Sequence, residues 1–171
     1  GVSYRGELGR GLVITNHLAR RGRRMGADLF IEARAQVPLE LVGMAAEELG
    51  GLGEVELTRL PGFAAHYRFL SSPIRHSSLG LAVIEAMMAG MPVVALATAE
   101  MATVIENGVS GYADSNPATL IERMTEVIGH PALARQLGEG ARRRAYERFS
   151  IDRFSADWDA ALRHVTGMRA A

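Results

Sequence analysis

A polar loop, His76, Ser77 and Ser78, leads through Leu79 and Gly80 into an apolar run that stops at Gly90. A helix over Gly80 to Ala89 would turn its free N–H groups and the positive end of its dipole toward that loop, which is the chemistry of an anion site. Ser77 or Ser78 can equally serve as a plain helix cap. Glu85 sits inside the run, with Leu81, Ala82, Val83 and Ile84 before it and Ala86, Met87 and Met88 after it. Burying a carboxylate without a partner is costly, so Glu85 is expected to face a cleft, a hydroxyl group or an Arg. A structural ion pair is the plainer alternative. Met87, Met88 and Met91 read as core filler.

A second cluster lies upstream, where Asn16, His17, Arg20, Arg21, Arg23 and Arg24 fall within nine residues. Guanidinium forks at this density can neutralise a diphosphate. A solvated surface loop is the competing reading. The chain contains neither Lys nor Cys. Phosphate contacts therefore fall to Arg, His and backbone N–H groups, and disulfides, thiolate chemistry and sulfur-ligated metals are excluded. His66, His130 and His164 have no acidic or His partner at ligand spacing, and no Ser, His, Asp arrangement stands out, so no metal site is expected.

The elements that must hold these groups follow from the apolar pattern. Strands are expected at Gly11 to Thr15, Leu39 to Gly43, Arg68 to Ser72, Pro92 to Leu96 and Gly111 to Ala113. Between them lie helical patterns at Ala27 to Gln36, Pro61 to Tyr67, Gly80 to Ala89, Glu100 to Asn107 and Ala118 to Gly129, with a turn over Ala45 to Gly50. The Arg-rich stretch after Thr15 reads as loop. A helix from Pro131 to about Phe149 precedes a last one whose apolar stripe is Ile151, Phe154, Trp158, Leu162 and Val165. Strands alternating with helices specify an α/β fold, a Rossmann-like parallel sheet flanked by helices. Ligands of such sheets bind beyond the carboxyl ends of the strands, which is where both clusters fall.

With 171 residues the chain is expected to form one domain. Hydrophobic residues make up 48 % and charged residues 22 %, a globular balance. The 19 basic and 19 acidic residues cancel. Together with 6 % aromatic content, this argues against a nucleic-acid binder. No apolar run approaches the roughly 20 residues that span a bilayer. The start at Gly1, Val2 lacks an initiator Met and a signal-peptide core, so the chain is expected to be a fragment, cytoplasmic or at most peripheral to a membrane.

The stretch SSLGLAVIEAMMAGMPVVA, Ser77 to Ala95, resembles the donor-site signature of bacterial-type retaining glycosyltransferases of the glycosyl transferases group 1 family. Those enzymes pair two Rossmann-like domains in the GT-B fold. Downstream, TAEMATVIENGVSGYADSNPATLIERM and HPALARQLGEGARRRAYERFSIDRFSADW are similar to the same family in the same order. LVITNHL, GADLF and LELVGM look like its first strand, phosphate loop with helix, and second strand.

The resemblance implies that residues 1–171 are the carboxy-terminal, nucleotide-sugar-binding half, with the amino-terminal acceptor domain absent and 150–171 a terminal helix that would cross to it. Glu85 matches the glutamate that binds the ribose hydroxyls. Ser78, Leu79, Gly80 and Leu81 match the loop whose amides approach the diphosphate and sugar. His17 matches a phosphate-binding Arg. The family's Lys falls on Met25, so Arg23 or Arg24 is expected to substitute. Two departures stand out. Ser77 replaces a glutamate and can bond to sugar without supplying charge, while Ala99 and Glu100 fall near the family's paired glycines.

The implied activity is transfer of a hexose from a nucleotide sugar to an unknown acceptor with retention, without a metal or other cofactor, the isolated domain being inactive. Alternatives are a non-catalytic nucleotide or phosphate-ligand binding module and a nucleotide-sugar isomerase of the same fold, whose acid and base groups this chain does not display. The whole enzyme is expected to act in the cytoplasm, with peripheral membrane association possible for it. Phe154 and Trp158 are expected to be partly exposed here.

Overall fold

The computed structural model describes residues 2–167. Residues 168–171, the end of the expected terminal helix, lie outside them. Five apolar runs form parallel strands β1 (Leu8–Ile14), β2 (Leu39–Val42), β3 (Tyr67–Ser72), β4 (Val93–Leu96) and β5 (Gly111–Asp114). They lie in the order β2-β1-β3-β4-β5. The order reverses between β1 and β3, which places the ligand crevice of such a sheet above those two strands. Helices join them: α1 (Leu18–Met25) and α2 (Ala27–Arg34) follow β1, α3 (Leu60–Ala64) precedes β3, and α4 (Leu81–Ala89) links β3 to β4. After β4 comes the short α5 (Met101–Val104), and after β5 come α6 (Pro117–Gly129), α7 (Pro131–Phe149) and α8 (Ile151–Thr166).

The sheet is covered on both faces, which is why its strands read as unbroken apolar runs. Along β4, Val94 and Leu96 point into a cluster with Phe30, Phe69 and Met124, under α2 and α6. Val93 and Ala95 point the other way, to Met87, Met101 and Val104 under α4 and α5. Met87 and Met91 are fully buried, as core filler should be. Full burial of a Phe or Leu of this kind stabilises by about 1.5–3 kcal/mol.

Three elements differ from the sequence expectation. β1 starts at Leu8, earlier than Gly11, because the polar residues around Arg10 sit on an exposed half-strand. The Arg-rich stretch is helix, not loop. Arg is a good helix former, and Leu18 and Met25 bury the inner side of α1 while Gly22 (φ 55°, ψ −140°) breaks it in two. The expected helix Glu100 to Asn107 shortens to four residues. There the Asn107 amide accepts from the Ala113 N–H and donates to the Ala113 carbonyl, so its side chain competes with helix propagation.

α8 buries no residue, and its stripe stands free: Ile151, Phe154, Trp158, Leu162 and Val165 are each more than half exposed. No helix among the described residues is long and apolar enough to cross a membrane.

Candidate functional site

The loops that leave β1, β2, β3 and β4 at their carboxyl ends are stitched together by backbone contacts. After β1, the Asn16 Oδ1 accepts the Met44 N–H at 2.9 Å, and the His17 N–H donates to the Met44 carbonyl at 2.7 Å. After β3, the Arg75 and His76 N–H groups both donate to the Arg24 carbonyl at 3.2 Å. The Arg24 Nε returns a bond to the His76 carbonyl at 3.3 Å. The end of α1 and the start of the β3–α4 loop are therefore one unit. Arg24 is the member of the basic cluster that the fold brings to the loop, whereas Met25, at the family's Lys position, is buried.

Arg75 completes this unit. Its fork grips Asp28 with NH1 to Oδ1 at 2.5 Å and NH2 to Oδ2 at 3.0 Å, and NH1 also donates to the Arg23 carbonyl at 2.9 Å. The hydrogen bond from Arg75, first among the causes, holds the Asp28 carboxyl below its ordinary value of 3.8. A carboxyl group lowered in the folded chain contributes stability above its unfolded value, and that contribution is lost as pH falls through the folded one. A carbon-detected NMR titration of Asp28 is expected to show a midpoint below 3.8. Arg75→Met should return the midpoint to the ordinary value; a midpoint indifferent to that substitution would dismiss the clamp. Spacing could not reveal this pair, since 47 residues separate its members.

The β3–α4 loop delivers a helix start with nothing on it. Gly80 is the cap residue, in extended conformation, without a side-chain cap, and the first turn of α4 has no acidic residue. Neither Ser77 nor Ser78 caps the helix, and both are exposed. The serine-cap alternative is thus not met: the Leu81 and Ala82 N–H groups have no partner among the described residues, while the Val83 N–H donates to the Gly80 carbonyl at 3.0 Å. Ser77, Ser78 and Leu79 share a small pocket with Thr98, Ala99 and Glu100 of the β4–α5 loop. Thr98 Oγ1 ties the two loops by donating to the Ile74 carbonyl at 2.6 Å. At the end of β3, Ser72 buries an Oγ that has no hydrogen-bond partner among the described residues.

Glu85 faces a cleft, one of the expected surroundings, but without the burial that the sequence suggested. It is exposed, and it has neither a hydrogen bond nor an ion pair among the described residues. No desolvation penalty arises, so the partner argued from burial is not needed. Val83, Ala86 and Met87 form the buried side of α4, while Glu85 stands at the edge of a cleft lined by Ile14, Leu60, Pro61 and Ala64. Its acceptor oxygens are free for hydroxyl donors.

Positive φ at residues other than glycine occurs, among the described residues, at His17 (53°), Ala45 (58°) and Ala99 (49°). All three lie on loops leaving carboxyl ends of strands, where strain tends to collect at binding sites. Ala99 thus holds a left-handed backbone that a glycine adopts freely. Ala99→Gly is expected to leave stability unchanged or raise it by up to about 1 kcal/mol. A thermal melt showing clear destabilisation would contradict the left-handed geometry.

The rim at the switch point thus combines an open helix start, a basic helix against it and an exposed carboxylate beside an apolar cleft, at the place where parallel sheets of this kind bind their ligands. The family model of glycosyl transferases group 1 matches residues 17–130, about two thirds of the chain. The chain belongs to that family. A stretch of 89 residues is 32 % identical to sucrose synthase 2 of Arabidopsis thaliana, covering 48 % of this chain and 11 % of that protein. TarM of S. aureus, solved with UDP among its ligands, superimposes with a TM-score of 0.77 at 18 % identity, over 90 % of this chain and 35 % of its own. HepE of Anabaena, solved with UDP-glucose, gives a TM-score of 0.72 at 20 % identity, over 89 % of this chain and 48 % of its own. The chain therefore spans about a tenth of the sequence relative and between a third and a half of these two structures. Its fold is the Rossmann-like α/β domain of GT-B glycosyltransferases.

Proposed function

We propose that the chain is the donor-binding, carboxy-terminal half of a retaining hexosyltransferase acting in the cytoplasm. The open start of α4, held beside Arg24 by the Arg75 unit, is the observation that carries this reading. In it, the diphosphate of a nucleotide sugar lies against the Leu79 to Leu81 amides. Arg24, and His17 and Arg23 beside it, balance its charge, and Glu85 accepts hydrogen bonds from the ribose hydroxyls. During transfer the bond between the anomeric carbon and the diphosphate oxygen breaks. The electron pair leaves with the nucleoside diphosphate, where dipole, amides and guanidinium groups stabilise it. The acceptor hydroxyl takes the sugar and loses its proton, on a domain outside this chain that α8 is suited to meet.

This chemistry draws its positive charge from Arg, His and backbone N–H groups rather than from a metal. Calorimetric titration with UDP, GDP and ADP in EDTA is expected to give saturable one-to-one binding of at least one of them. Binding that requires added magnesium would overturn the metal-free part of the proposal.

A second reading, a nucleotide-binding module without catalysis, is favoured by Ser77, since a hydroxyl cannot supply negative charge near the anomeric carbon. Comparing affinities separates the two. A donor site holds UDP-glucose at least as well as UDP, whereas a bare nucleotide module gains nothing from the sugar.

A further inference from the structure

The last two turns of α7 reach over to the donor rim. α5 is only four residues long, and beyond the Met101 carbonyl, which accepts the Ile105 N–H, the carbonyls of its last residues Thr103 and Val104 lie past the reach of the helix's own N–H groups. Arg144 and Arg148, four residues apart and thus on one side of α7, supply donors to them. Arg144 donates through Nε to the Val104 carbonyl at 2.6 Å and through NH2 to the Thr103 carbonyl at 2.8 Å. Its NH1 meets the Glu106 carboxylate at 3.2 Å. Arg148 donates through NH1 to the same Thr103 carbonyl at 2.5 Å and through NH2 to Thr103 Oγ1 at 3.2 Å. Its NH2 stands 4.0 Å from the Glu100 carboxylate.

The amino end of the fixed segment is the pocket wall facing Ser77 and Ser78. Thr98 anchors it on one side through Ile74, and the two arginines anchor α5 on the other. Between these anchors lies Ala99 in a left-handed conformation that a free alanine avoids. The carboxyl end of the arginine pair is equally telling. Phe149 closes α7, and Ser150 caps α8 by accepting the Arg153 N–H at 3.4 Å, so α8 begins three residues after Arg148.

We infer that Arg144 and Arg148 are positioning residues of the donor site: by capping α5 they hold the Thr98 to Met101 loop in its binding form and couple it to the α7–α8 junction. This rests on the donor-site reading for its consequence, but not for its geometry. Whatever surface holds the exposed stripe of α8 also steadies the end of α7, and through Arg148 the loop that faces the donor.

The test uses the full chain with Arg148→Met, Arg144→Met and Arg148→Lys, followed by amide hydrogen exchange and by UDP titration. In the two Met variants, amides of residues 99–104 are expected to exchange faster by about tenfold or more, while those of β1, β3 and α2 keep their protection. UDP affinity should fall by about five- to tenfold. Arg148→Lys, which still donates one bond to the Thr103 carbonyl, should recover part of both changes. Unaltered exchange at 99–104 overturns the inference, and so does a uniform acceleration across the sheet, which would mark a merely structural pair. If the unaltered chain binds none of UDP, GDP and ADP, the donor-site reading fails by itself, and the local exchange still decides the positioning role.

Discussion

Glu85→Gln is expected to weaken UDP binding by about ten- to a hundredfold while leaving the melting temperature where it is. The magnitude follows from losing the charge of a carboxylate that accepts hydroxyl hydrogen bonds, worth about 1.5–3 kcal/mol, at 1.4 kcal/mol per factor of ten. The unchanged stability follows from the free state. Glu85 is exposed and has no partner among the described residues, so replacing it by its amide isostere removes no contact of the fold. The two measurements together are diagnostic, because a structural ion pair would show the reverse pattern, a lower melting temperature with UDP binding intact.

Gly26→Ala is expected to cost about 2–4 kcal/mol of stability, the sum of a left-handed alanine and of crowding in a packed contact. Gly26 has φ 81° and ends α1 while starting α2. A Cβ there would run into the backbone carbonyl of Pro73, which belongs to the sheet end and cannot swing aside as a side chain can. This close approach brings the last turn of α1 against the β3–α4 loop, so that the Arg24 carbonyl meets the Arg75 and His76 N–H groups. A urea melt reads the stability loss. UDP affinity should fall as well, and by more than in Arg23→Ala, whose side chain is largely exposed. A variant as stable as the unaltered chain would show that α1 and the loop do not depend on this contact.

The layered architecture was legible because buried parallel strands announce themselves as unbroken apolar runs. Val93 to Leu96, buried at every position, needed no alternation to be recognised. The end of α4 was legible for a local reason too, Gly90 in the left-handed region followed by Pro92. Elements governed by long-range contacts were not. α1 hid as a polar segment because its helix is stabilised by burying only Leu18 and Met25 at its two ends. α5 was overextended because the Asn107 amide takes up Ala113 from the next strand, a contact between elements that spacing does not encode.

The site divides in the same way. Ser78, Leu79, Gly80 and Leu81 lead into α4, as the polar loop before the apolar run implied, because a helix start is a local property of the chain. Glu85 was singled out by an apolar run that implied burial, whereas the structure exposes it at the edge of a cleft that Ala82 and Ala86 also line, with its acceptor oxygens free. The clamp of Arg75 on Asp28, the tie from Thr98 to Ile74 and the two arginines of α7 join residues far apart in the chain. They set the positions of the loops, and only the folded structure brings them together.

The most direct measurement is a nitrogen-15 chemical-shift map of the chain titrated with UDP. A donor site at the switch point requires the largest shifts at the amides of Leu79 to Val83, with further shifts at His17 and Arg24, and little change along α8. Saturable binding with its shifts elsewhere, on the outer face of α7 for instance, would contradict that location, and no binding by UDP, GDP or ADP would contradict a nucleotide site altogether.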